Sequence, residues 1–161
     1  MRNRLLALVA GLAFLATPAP YQDTAAQDYR LSPSFGTVRL NANFMPDPYV
    51  VNITAGGTIP AERLGVPGCV GTIANRPDVR LHYRAGMGLP LVIMASSRRA
   101  DLTLVVNLPN GRWLCNDDFI GLDPGIVMNN PMSGQYDIWV GSYGRSRGIP
   151  AQVLISEIIP R

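Results

Sequence analysis

The chain has no lysine: its 14 basic residues are all arginines, set against 11 acidic residues and one histidine. Charged residues make up only 16% of the sequence, and the formal net charge of +3 includes Arg2 and Arg4 at the extreme N-terminus. Binding to nucleic acid calls for a clustered basic stripe with interleaved aromatics. Only "SRRAD" (Arg98, Arg99) and "YGRSRG" (Arg145, Arg147) bring arginines together, so a nucleic-acid partner is not expected. With one histidine and two cysteines the chain is also short of zinc ligands. Beyond the N-terminal segment no apolar run is long enough to cross a bilayer, so the mature chain is expected to have no membrane span. Helical periodicity is missing from the same region, which excludes a helical bundle.

What the chain does have in quantity is turn formers. Its 161 residues, enough for one domain with one substantial core, include 16 glycines and 14 prolines. That composition suits short strands joined by many turns.

At the N-terminus, "MRNR" precedes the apolar run "LLALVAGLAFLA" (Leu5 to Ala16), the pattern of a secretory signal peptide. Small residues at Thr24 and Ala26 place the cut after Ala26, with a rival after Ala19 that Pro20 disfavours. The expected division is therefore a signal peptide over 1–26, a flexible leader over 27–34 and one domain over 35–161. The product is expected in the periplasm or outside the cell. In such an oxidising compartment the lone pair Cys69 and Cys115 is expected to form a disulfide, worth roughly 4 kcal/mol of chain entropy in the simple loop model.

Hydrophobic alternation then marks the strands. "FGTVRLN", "YVVNITA" and "DVRLHYRA" alternate cleanly, the last placing Val79, Leu81 and Tyr83 opposite Arg80, His82 and Arg84. "LPLVIMAS" (Leu89 to Ser96) is apolar on both faces, as expected of a central strand covered on its outer side or lying at a partner surface. "DLTLVVNL", "PNG" and "RWLCN" read as a hairpin, with Asn110 and Gly111 suited to positive φ. "GIVM", "QYDIWVGSY" and "AQVLISEI" complete the set. About nine short strands with regular turn signals predict an all-β fold, an antiparallel β-sandwich of jelly-roll-like form with one disulfide.

The run "RADLTLVVNLPNGRWLCNDDFIGLDPGI", followed by "SGQYDIWVGSY" and "LISE", resembles the bacterial pre-peptidase C-terminal domain, here as a stand-alone exported variant. The resemblance extends over Phe35 to Glu157. It implies a β-sandwich module of a secreted protein, often attached to proteases and not itself catalytic; here no protease domain is expected beside it.

Three site chemistries follow from the residues. A Ser-His-Asp hydrolase has only His82 as its histidine base, grouped by alternation with Arg80 and Arg84, and Ser133 in "MSGQ" lacks a nucleophile elbow. Asp117 and Asp118 are adjacent and point apart in an extended segment, unlike the carboxylate pair of a glycosidase. No catalytic residue is assigned, and the chain is not expected to be an enzyme. Calcium is the one cofactor considered: "CNDDFIGLDP" supplies Asn116, Asp117, Asp118 and Asp123, although without EF-hand spacing. The competing expectation has Asn116 and Asp117 capping backbone amides and Asp123 starting a turn. Last, Trp139 and Tyr143 share a strand face away from the core and would form a polysaccharide-binding surface if exposed. Otherwise Trp139 packs in a second core layer and Trp113 against the disulfide. The function expected is that of a non-catalytic binding or accessory module, with an extracellular protein or polysaccharide as partner.

Overall fold

The computed structural model describes residues 27–98, 100–144 and 147–160. Residues 1–26, expected to be a signal peptide, and Arg99 and Arg145 lie outside the described residues.

Eleven strands form two sheets: β1 (Thr37–Asn41), β2 (Tyr49–Gly56), β3 (Ile59–Pro60), β4 (Thr72–Ile73), β5 (Val79–Arg84), β6 (Leu91–Ser96), β7 (Leu102–Asn107), β8 (Trp113–Asn116), β9 (Gly125–Met128), β10 (Gly134–Ser142) and β11 (Arg147–Ser156). The fold is the expected all-β sandwich, with more strands than the sequence suggests, two of them only two residues long. "CVGTIA", for example, keeps only Thr72 and Ile73 as strand. A 3-10 helix over Ala61–Leu64 is the one helical turn among the described residues. No helix there is long and apolar enough to cross a membrane.

In the larger sheet β10 is the hub. Gly134 to Ile138 pair with β5, Asp137 to Ser142 with β7, and Ser142 also reaches β4. Because Ser142 pairs with both β7 and β4, β4 lies on the same side of β10 as β5. β8 extends the β7 edge, β3 extends β4, and β1 pairs with β5 in parallel, the exception in an otherwise antiparallel fold. The smaller sheet has the order β2-β11-β6-β9.

The two inner faces close on one core. Val38, Leu81, Leu104, Val106, Tyr136 and Ile138 from the larger sheet meet Ile53, Leu91, Ile93, Val153 and Ile155 from the smaller. β6 is interior to its sheet, as its two-sided apolar pattern predicts. The hairpin between β7 and β8 also forms as read, with Gly111 at φ 79°. Asn110 differs: instead of taking positive φ, it accepts the Arg112 N–H on Oδ1 at 3.1 Å.

Residues 27–34 are not the flexible leader expected from their composition. Asp28 N–H donates to Asn75 O at 3.0 Å and Ser34 N–H to Pro77 O at 2.8 Å. The Arg80 guanidinium donates to the carbonyls of Tyr29 and Leu31, and it also pairs with buried Asp137 at 2.6 Å. The sequence lacks apolar anchors here because the anchoring is to backbone carbonyls, which leave no side-chain pattern.

Candidate functional site

The acidic loop that suggested calcium does not gather its four candidate ligands. Asn116 is fully engaged with backbone: Oδ1 accepts Gly125 N–H at 2.8 Å, and Nδ2 donates to Asp118 O at 3.1 Å. Asp123 faces β6, where Oδ2 accepts the Ser96 hydroxyl at 2.7 Å. It also closes the turn Ile120–Asp123 through paired backbone hydrogen bonds, with Gly121 at φ 61°. Asp117 and Asp118 instead lie near Asp101, whose carboxyl is raised first by burial and then by the charges of Asp118 and Asp117. One Asp101 oxygen is buried without a hydrogen-bond partner. Among the described residues no three acidic, histidine or cysteine side chains are set to hold a metal.

Trp139 lies on the outer face of β10, as alternation predicts, but is fully buried and offers no stacking surface. The segment from Ala61 to Cys69 lies over it, held down by the Cys69–Cys115 disulfide, so that Ala61, Cys69, Ile73 and Val105 enclose the indole in a second apolar cluster. Trp113 packs against it at 5.2 Å between ring centroids, and Trp139 Nε1 donates to Asn75 O at 3.4 Å. Tyr143 remains exposed but without an aromatic companion. The alternation, the disulfide and the second core layer around Trp139 were legible; the strap that covers it was not, because a segment with only one 3-10 turn leaves no periodic pattern to read.

His82 is half-buried on the outer face of the larger sheet. Desolvation, then Arg39 and Arg80, lower its pKa, while Asp137 pulls the other way. The Ser133 hydroxyl accepts the Ala85 N–H at 3.0 Å, a turn contact with no link to the imidazole.

The outer face of the smaller sheet has a different character. Cross-strand register aligns Val50 with Leu154, Leu154 with Met94, and Met94 with Gly125. At Gly125 the missing side chain is replaced by Phe119, whose ring would stand 2.6 Å from an added Cβ. The result is an apolar stripe across all four strands, built from Val50, Leu154, Met94 and Phe119. Beside it Pro48, Val92, Met94, Leu154, Ile158 and Pro160 line a groove of about 320 Å³, with Ser156 as its one polar side chain and no charge. Ile158 is 66% exposed at the groove, and Leu122 is 61% exposed at the tip of the acidic loop.

The groove walls are fixed from beneath by a polar network. Glu157 accepts the Tyr83 hydroxyl at 2.5 Å and the Asn43 N–H at 2.8 Å, while its own N–H donates to Asp47 at 3.0 Å. These bonds hold the loop before β2 and the segment after β11 together, which sets Pro48 opposite Ile158. The two-sided apolar pattern of "LPLVIMAS" leaves this face either covered or at a partner surface, and Val92 and Met94 line the groove there; Phe119 was missed because its loop was read for its carboxylates.

No protein-family model matches the chain, and no curated protein matches it. The resemblance to pre-peptidase C-terminal domains is one of sequence pattern alone.

Proposed function

We propose that the protein is a non-catalytic exported binding module, akin to the pre-peptidase C-terminal domains, and that it binds an apolar segment of another exported protein on the outer face of its four-stranded sheet. The observation that carries this reading is the uncharged stripe and groove. Large apolar side chains are left in contact with water on a face whose neighbours fix them in place, and such patches mark interaction surfaces. The chemistry of the lining selects the partner. With no aromatic plane and one hydroxyl in the groove, the face suits an aliphatic or aromatic protein segment rather than a sugar. Export is supported by the signal-like N-terminus and by a disulfide suited to an oxidising compartment.

The test places charge on the face. In material purified from the compartment to which the chain is exported, wild type should elute as a complex, and Met94→Asp and Leu154→Asp should elute alone with melting temperatures near wild type. Thr37→Asp, on the opposite sheet, should keep the complex. Loss of the complex in all three, or in none, would overturn the assignment.

A further inference from the structure

Sheet edges offer unpaired N–H and C=O groups, and folded proteins ordinarily blunt them with charge, proline, brevity or a bulge. Most edges here are blunted. β3 has two residues, one of them Pro60; β8 and β9 have four residues each; β1 carries the exposed Arg39. β2 is the exception: "YVVNITAG" runs for eight residues with no charge and no proline. The irregularity in its ladder falls between Arg147 and Ile149 on β11, at the far end.

The register shows which groups β2 leaves open. Pro150 pairs with Thr54, and its carbonyl points away from β2, accepting the Ser97 hydroxyl at 3.0 Å. Ala95 N–H, in turn, points to Pro124 O on the β9 side, which directs Met94 toward Leu154. Both observations place Pro150, Gln152 and Leu154 with their backbone groups facing β6. Their partners Thr54, Asn52 and Val50 are then the non-hydrogen-bonded members of the β2–β11 ladder, with their N–H and C=O groups facing outward. None of these outward groups has a backbone partner among the described residues.

We infer that β2 is a self-association edge at which two copies of this chain pair antiparallel about a two-fold axis through Asn52, joining their small sheets into one. The pattern is self-complementary. With Asn52 opposite Asn52, Val50 falls opposite Thr54 and Thr54 opposite Val50, so every open backbone position meets another open position and each pair closes two hydrogen bonds. On the inner face Val51 meets Ile53. No like charges oppose one another, which is the condition a second copy must satisfy and a charged partner strand would not need. This inference does not depend on the apolar face as a binding site.

The experiment uses light scattering coupled to size exclusion from micromolar to millimolar concentration, with hydrogen exchange on the same samples. Wild type should form a dimer, with amide protection gained at Val50, Asn52 and Thr54. Asn52→Lys and Asn52→Asp, which set like charges about 5 Å apart across the axis, should each be monomeric, and an equimolar mixture should recover the dimer. Met94→Asp should dimerise like wild type. A wild-type monomer throughout the range, a dimer retained in both Asn52 variants, a mixture that stays monomeric, or a dimer lost in Met94→Asp would each overturn the inference.

Discussion

Asp78 occupies the place where β10 changes partners. β5 leaves β10 after Ile138 and β4 joins only at Ser142, so the Val140 N–H between them has no strand to bind. The Asp78 carboxyl accepts it at 2.7 Å from a buried position, and burial raises the Asp78 pKa from 3.8 to about 7, against the lowering effect of that hydrogen bond. The consequence for stability has a definite sign. Between the unfolded value and about 7 the folded chain keeps a proton that the unfolded chain has released, so unfolding is favoured as pH rises through that window. The contribution is fully present below pH 3.8 and is lost by about 7, amounting to about 4 kcal/mol at most. Melting temperature should therefore fall between these limits in wild type, and the fall should be much reduced in Asp78→Asn, which keeps an acceptor for Val140. An equal fall in both proteins would contradict this role. Nothing in "NRPDVR" announces it, since the need for an acceptor arises only when β4 and β5 share one side of β10. The Arg80–Asp137 pair was likewise half legible: alternation put Arg80 on the polar face, but a partner buried to 1% on a neighbouring strand follows only from register. Arg80→Ala should cost about 3 kcal/mol in urea unfolding, because it leaves the buried Asp137 carboxyl without its guanidinium partner and with only the Gln135 amide donating to it.

Among the elements, the strap over Ala61–Cys69 is tied by its disulfide to Cys115 on β8, one residue before Asn116, where the acidic loop leaves the strand. The strap contributes little regular structure, only one 3-10 turn, and is held by its apolar contacts and the disulfide. Replacing both cysteines, Cys69→Ser with Cys115→Ser, should lower stability by roughly 4 kcal/mol and shift tryptophan emission to the red as water reaches Trp139. An unchanged emission maximum would mean that the strap stays closed without its staple. In the loop, Asn116→Ala removes the acceptor for Gly125 N–H at the start of β9 and should cost about 1–2 kcal/mol by denaturant unfolding. Its larger effect should be on Phe119, whose seat over Gly125 depends on that junction. The hairpin before this loop was readable because alternation and a glycine turn are local signals. That Asn116 caps a backbone amide was one of the two expectations for the loop; that the amide is Gly125 on β9, and that Asp123 accepts from Ser96 on β6, was not readable, since ten residues rich in carboxylate look alike whether they meet a cation or backbone amides.

For the whole molecule, the all-β class and the disulfide pairing were readable from turn density, alternation and the count of two cysteines. The arrangement of the sheets was not, because the parallel β1–β5 pair and the divided edge of β10 join strands distant in sequence. That arrangement makes the two outer faces unequal. The larger sheet is covered in part by residues 27–34 and the strap, with polar Thr37 and Arg39 exposed on β1, while the smaller sheet carries an apolar stripe left open. The central claim is that this open face binds a partner, and site-specific photo-crosslinking in the exporting cell tests it most directly. A photoreactive residue at Leu154 should yield one discrete adduct with another exported protein, and the same residue at Arg39 on the opposite sheet should yield none. Equal adducts from both positions, or none from Leu154, would contradict it.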